Sequence, residues 1–470
     1  MLASLGPRRS VLYFARQIDR VLAAWAAEDE RKPLVLRGAR QTGKSSSVRQ
    51  LGRSFEQFLE LNLERYEDLA LVRSCRSPAD LLKALAARYN LAAFPARTLL
   101  FLDEIQESPE AIQWLRFFRE DYPQLSVVAA GSLLEVRLQE RGFSFPVGRV
   151  TFRTLRPLSF REFLQALGKD VLAESLREGA IPGAEMAPPL HAQALTLLRD
   201  YLFTGGMPEA VARWVESGSP AVVRQVQSDL MQAFAEDIQK YRSGVAATDL
   251  EAAFENLPHH YGLRFRYENF APGFKSQRMK DALGKLEAAL LIHRVWPSHS
   301  LELPLAVRPK SAPKLLPLDV GLAVHTLGTG FQALATEPLE RLLSGRLAEI
   351  FVGQQLLASH TAMGAIVEPL FFWVSESAHA NAETDYLLPG PGFPVPVEVK
   401  SGASGSLKSL HQFLWRARRD LGIRLHAGPF ADERHEVRMP EGPLRYRLIS
   451  LPLYLAEEVV PLLERLGPCP

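Results

Sequence analysis

Residues 32–47, "KPLVLRGARQTGKSSS", are the stretch on which the reading of this chain turns. Leu34-Val35-Leu36 is a short apolar run of the kind that fills a buried parallel strand. It gives way to Gly38-Ala39-Arg40-Gln41-Thr42-Gly43-Lys44-Ser45, which fits the pattern G-x-x-x-x-G-K-[ST]. The spacing has a physical reason. Two glycines let the backbone curl until successive N–H groups face one point, and a helix opening there adds the positive end of its dipole. In that geometry Lys44 reaches the terminal phosphates of a nucleoside triphosphate and the Ser45 hydroxyl ligates Mg²⁺. The cradle is taken to run from Gly38 through Ser46. An incidental Gly-rich turn is the competing reading, and the strand before it and helix after it weigh against that.

A phosphate cradle needs an acid to hold the metal, and "TLLFLDEIQ" (98–106) supplies one. Four apolar residues bury the strand, and Asp103 emerges at its carboxyl end to hold Mg²⁺ through water. Glu104 beside it is placed to orient or deprotonate an attacking water. The Asp-Glu pair favours ATP hydrolysis over small-molecule kinase chemistry. "LSVVAAGS" (125–132) reads as a third buried strand, so strands alternate with helical segments and predict a parallel α/β sheet covered on both faces.

The bulk numbers leave room for more. At 470 residues the chain is too long for one core. A net charge of +2 drives no global attraction to nucleic acid, so any such contact must come from local patches. Two cysteines, Cys75 and Cys469, fit a reducing compartment and argue against a disulfide scaffold or zinc site. No apolar run approaches the ~18 residues that cross a bilayer, and a cytoplasmic location with no membrane partner is the default. The expected divisions are a helix in 1–30, a P-loop domain in 31–167, a helical lid in 168–244, a winged helix-turn-helix in 245–328 and a final α/β domain in 329–470.

That final domain carries a second candidate centre. In "PVPVEVKSG" (394–402) Val397 and Val399 share one strand face, Glu398 and Lys400 the other. Asp385 in "ETDYLL" lies across the turn signal "PGPGF", so it and Glu398 can meet on adjacent strands of one hairpin. Two such carboxylates could bind Mg²⁺ or Mn²⁺ and activate water, with Lys400 stabilising charge on a scissile phosphate. A solvated strand with a plain Glu398–Lys400 pair is the alternative. Basic clusters at Arg278/Lys280/Lys285, Arg416/Arg418/Arg419 and Arg264/Arg266 are each more often a solvated face than a DNA footprint.

Two resemblances follow. "GARQTGKS", "LLFLDEIQ", "AAGSLLE", "GRVTFRTLRPLSFREFL" and "YLFTGGMPEA" resemble the prokaryotic AAA-type ATPases of the AAA+/STAND group that carry a carboxy-terminal domain of unknown function. The likeness implies that Ser132 senses the γ-phosphate and that Arg149 is a sensor or arginine finger, in cis or across a subunit boundary. It further implies that Pro208 in "GGMP" reports nucleotide state to the lid, and that copies of the chain assemble. The Asp385…Glu398-x-Lys400 pattern is similar to the PD-(D/E)xK nucleases, which implies that Glu349, on the preceding helix, is an extra acid. Together they imply a Mg-ATP switch gating a domain that acts on DNA. A regulatory or scaffold ATPase with a catalytically silent terminal module is the rival.

Overall fold

The computed structural model describes residues 13–95, 97–132, 134, 148–180, 186–238, 245–308, 311–342, 345–363, 369–375, 382–400 and 406–467. Cys469, the "LLE" of "AAGSLLE" apart from Leu134, and half of the linker 181–190 lie outside them.

Five parallel strands form the first sheet: β1 Leu34–Arg37, β2 Gln57–Asn62, β3 Thr98–Asp103, β4 Ser126–Gly131 and β5 Thr151–Thr154, in the order β2-β3-β4-β1-β5. The three inner strands are the apolar runs of the sequence; β3 and β4 are buried along their whole length. Their side chains alternate between two cores. Leu34 and Leu36 pack with Ile18, Leu22 and Trp25 of helix Gln17–Ala27 and Val48 of helix Lys44–Gly52. Val35, on the other face, packs with helices Tyr66–Ser74, Pro78–Arg88 and Pro109–Asp121 through Val72, Leu85 and Leu115. Burying each of these aliphatic side chains contributes roughly 1.5–3 kcal/mol. Both edge strands were invisible to pattern reading, because they are only partly buried and mix polar with apolar residues.

The remaining strands form one eight-stranded sheet in the order β12-β13-β11-β10-β9-β8-β6-β7. They are β6 Ile292–Ser298, β7 Lys314–Pro317, β8 Phe371–Trp373, β9 Tyr386–Pro389, β10 Pro394–Val399, β11 Leu421–His426, β12 Ala431–Met439 and β13 Gly442–Pro452. Helix Arg346–Ala362 precedes an antiparallel meander β8-β9-β10, and helix Lys408–Ala417 then leads to β11, parallel to β10.

The region expected to be a winged helix contributes helices Ala247–His260 and Ser276–Ala288 and the antiparallel hairpin β6–β7. The hairpin does not stand alone. β6 pairs in parallel with β8, so the expected division at 328/329 cuts a continuous sheet. One hydrophobic core likewise runs from Leu158 through the helices of 188–238 to Leu463. In the expected recognition helix, Lys285 is buried and Arg278, though exposed, is tied to Asp249 at 2.7 Å; Lys280 is exposed.

A buried polar seam crosses this core. Asp319 accepts from the Gly206 amide (2.6 Å), the Leu322 amide (3.0 Å) and Gln354 Nε2 (3.3 Å). Gln354 also donates to the Tyr201 hydroxyl, which itself donates to the Leu158 carbonyl at 2.6 Å. The Leu158 amide donates to Gly206 O (2.7 Å). Burial in a dry core pushes the Asp319 carboxyl up to about 6, with the donors opposing it. Such a group is tolerated because its acceptor sites are filled.

Candidate functional sites

At the end of β1 the chain enters the glycine loop, and Gly43 takes φ 98°, a left-handed conformation that favours glycine, as the residue before helix Lys44–Gly52. Arg16 braces the loop from behind, donating to Thr42 O (3.1 Å) and Arg156 O (2.7 Å) and pairing with Glu162 at 3.1 Å. Thr42 Oγ1 donates to Ala39 O (2.9 Å), while Arg40 reaches out to Asp237 (2.6 Å) and Glu64 (2.8 Å). The Lys44 ammonium donates to Gly38 O and Ala39 O, both at 2.9 Å. Burial lowers it to about 8, with Glu104 and Asp103 holding it up. A buried ammonium bonded only to carbonyls is poised for an anionic partner.

The Ser45 hydroxyl donates to Asp103 Oδ2 at 2.7 Å. A hydroxyl and a carboxylate in contact at the mouth of the loop are the hard oxygen donors Mg²⁺ takes, so these residues fit the ion. Glu104 sits at φ 51°, and its carboxylate accepts from Gln106 Nε2 (2.6 Å) and from Ser132 N and Oγ, both at 3.4 Å. Ser132 is therefore brought to the loop's acid.

A cavity of about 970 Å³ opens over these groups, lined by Gln41, Lys44, Ser45, Ser46 and Glu104 on one side. Tyr13, Phe14 and Arg16 close it on the amino-terminal side, and Leu158, Pro208 and Arg213 complete its lining. Arg149 is not among the described lining residues; its side chain is 53% exposed and pairs with Glu120 at 3.4 Å. Sequence reasoning missed Tyr13, Arg16 and Arg213. None lies in a motif, although Arg213 follows "GGMP" by a turn of the helix Pro208–Ser217.

The second centre assembles as the hairpin reading expected, with additions. Val397 pairs with Tyr386, so Asp385 and Glu398 are opposite one another across β9 and β10. Asp385 Oδ2 accepts from the Val399 amide at 2.7 Å, and Lys400 Nζ donates to Glu398 Oε2 at 2.7 Å. Glu398 is 2% exposed, which overturns the solvated-strand alternative. Glu349 joins them from helix Arg346–Ala362. Burial and the Asp385 charge raise Glu398 to about 8 and Glu349 to about 7. Unforeseen were Glu383 and Lys314. The Lys314 ammonium lies 2.9 Å from Glu349, 3.0 Å from Glu383 and 3.8 Å from Asp385. Among the described residues no group of three or more His, Cys, Asp or Glu is placed to hold a metal ion. The set as it stands does not fit Mg²⁺ or Mn²⁺, because a lysine already satisfies Glu349.

Comparison with known proteins agrees with the first centre. Residues 30–164 match the family model of an AAA domain; residues 195–333 and 344–444 match two domains of unknown function, DUF8612 and DUF4143. The amino-terminal parallel sheet is consistent with the P-loop ATPase fold. No curated protein matches the chain. Among solved structures, the Walker-type ATPase PABY2304 of Pyrococcus abyssi is similar at 16% identity and a TM-score of 0.43, over 69% of this chain and 99% of that one. The Aeropyrum pernix ORC2 protein follows at 15% identity and 0.34, over 70% and 98%. The Pyrococcus horikoshii STAND protein with a tetratricopeptide repeat sensor stands at 13% identity and 0.28, over 76% and 48%. Among the described residues no helix is long and apolar enough to cross a membrane.

Proposed function

We propose that this chain is a cytoplasmic, ATP-hydrolysing switch whose nucleotide state is passed to a nuclease-like carboxy-terminal module. The observation that carries the reading is the Ser45–Asp103 contact of 2.7 Å beside the buried Lys44. In this reading the loop amides and Lys44 hold the phosphates, and Ser45 and, through water, Asp103 hold Mg²⁺. The bound ion supplies charge neutralisation at the phosphate oxygens. Glu104 orients and deprotonates the attacking water, and Ser132 keeps the Glu104 carboxylate aimed. Tyr13 and Phe14 offer apolar surface to the base at the cavity mouth.

Transmission has a route. Leu158 and Pro208 line the cavity, and Leu158, Gly206, Asp319 and Gln354 are joined by hydrogen bonds. Gln354 belongs to the helix that carries Glu349. Closing of the lid on a nucleotide would therefore pull on the helix behind the acid cluster, a packed two-state element of the kind that switches use. Arg149, exposed and outside the lining, would serve a neighbouring copy if copies assemble.

For the module, the α-β-β-β-α-β order around β10 and the convergence of Asp385, Glu398, Lys400 and Glu349 support nuclease ancestry and DNA as partner. The Lys314 contacts favour the second reading, a module that binds DNA or protein without cutting it. The test pairs two assays. ATP turnover should vanish in Lys44→Ala and fall in Glu104→Gln, which still binds ATP; equal loss of binding in both overturns the roles. Metal-dependent nicking of supercoiled plasmid that is lost in Asp385→Ala and Lys400→Ala would select the cutting module. Nicking unchanged in both would be contamination.

A further inference from the structure

We propose that Lys314 is the resident cation of the carboxy-terminal acid cluster, occupying the place a divalent metal would take and excluding that metal while β7 stays in the sheet. The inference rests on the nuclease-like reading of the module and adds to it a residue from outside the motif.

The geometry is that of a cation site already filled. Lys314 comes from β7, ahead of the motif in sequence, and its side chain is 8% exposed. Its ammonium has three N–H donors. Glu349 at 2.9 Å and Glu383 at 3.0 Å take two, and the third faces Asp385 at 3.8 Å. Mg²⁺ or Mn²⁺ bridging Glu349 and Asp385 needs oxygens at roughly 2.0–2.3 Å. The ion and the ammonium would then compete for the same Glu349 and Asp385 oxygens, at a separation two cations do not tolerate in a buried site.

Charge counting agrees. Four carboxylates, Glu349, Glu383, Asp385 and Glu398, face three cations: Lys314, Lys400 and Arg264, which pairs with Glu383 at 3.1 Å. Even with all four carboxylates ionised, a divalent ion beside all three cations would leave a net positive charge, whereas one in place of Lys314 would bring the count to zero. Burial would lower the Lys314 ammonium, but the charges of Glu349, Asp385 and Glu383 outweigh it, so the lysine stays charged.

The lysine is held by the backbone. Lys314 pairs with Val295 of β6, the Gly262 amide donates to Leu315 O at 2.8 Å, and the Phe265 amide donates to Pro313 O at 3.1 Å. Moving β7 out of the sheet would therefore carry the cation away from the cluster. Metal access to Asp385 and Glu398 becomes a property of how that segment sits on the module.

The experiment is Mn²⁺ titration of the nucleotide-free full chain, followed by electron paramagnetic resonance of free Mn²⁺. Wild type should bind no ion whose affinity depends on Asp385 or Glu349. Lys314→Met should gain one Mn²⁺ per chain, bound at least tenfold more tightly than any ion wild type takes up there. That ion should be lost again in Lys314→Met/Glu349→Gln. Lys314→Arg, which keeps the charge, should stay without it. Wild type binding an ion that Asp385→Asn removes would overturn the proposal, with no need for any Lys314 variant to fold. So would a Lys314→Met chain that retains ATP binding and gains no ion. ATP hydrolysis is read separately, so failure of the switch and failure of this inference are distinguishable.

Discussion

Replacing Gly206 by alanine puts the route between the two centres to a quantitative test. A Cβ on Gly206 would meet Leu158 O at 2.1 Å, Leu158 N at 2.8 Å and Leu158 C at 2.9 Å, all backbone atoms that cannot rotate away. Relief needs a shift of about 1 Å, which two hydrogen bonds of ordinary length do not survive. Those are Leu158 N to Gly206 O at 2.7 Å and Gly206 N to Asp319 Oδ2 at 2.6 Å. A neutral bond contributes about 0.5–1.5 kcal/mol and one to a charged group about 1.5–3. The expected loss is roughly 3 kcal/mol, about two orders of magnitude in the folding equilibrium. Denaturant unfolding of wild type and Gly206→Ala reads it directly, and ATP affinity should weaken in the same variant because Pro208 moves with the turn. A destabilisation below about 1 kcal/mol with unchanged ATP affinity would refute the reasoning.

Removing the brace behind the phosphate loop with Arg16→Met should weaken ATP binding at least tenfold without touching the cavity's acids, checked by calorimetric titration. Glu104→Gln should retain ATP and lose on the order of 10²-fold or more in turnover, as expected of a catalytic base. The raised carboxyls of the second centre set a pH dependence. Glu398 at about 8 and Glu349 at about 7 lie above their unfolded values, so the folded chain binds more protons between about pH 5 and 8. Stability should therefore fall as pH rises through that window, by up to on the order of 1.4 kcal/mol per unit for each group. Glu398→Gln should flatten the profile, measured by thermal unfolding at a series of pH values, and a profile as steep as wild type would contradict the assignment.

What the sequence made legible was whatever a local signal carries. The phosphate loop, Asp103 and the inner strands announce themselves because burial on both faces demands continuous apolar runs. β2 and β5 do not, since an edge strand is half wet. β12 escaped for the same reason: its burial alternates with exposed charge, as in "ADERHEVRM". The hairpin geometry placed Asp385 against Glu398 because side-chain alternation and the turn fix the register. Lys314 and Glu383 could not be found that way. Lys314 reaches the cluster through the β6–β8 pairing, which joins segments far apart in sequence. Arg16, likewise, meets Thr42 and Glu162 only in three dimensions. Asp319 caps the helix Val320–Thr326, but its other bonds, to Gly206 and to Gln354 of the acid-bearing helix, join segments that no local signal connects.

Hydrogen exchange of the Glu104→Gln chain, with and without Mg-ATP, tests the switch most directly. The account predicts altered protection both around Gly38–Ser46 and in the helix Arg346–Ala362, with the second change lost in Gly206→Ala. Nucleotide-dependent protection that stops at the lid and leaves 346–362 unchanged would contradict it.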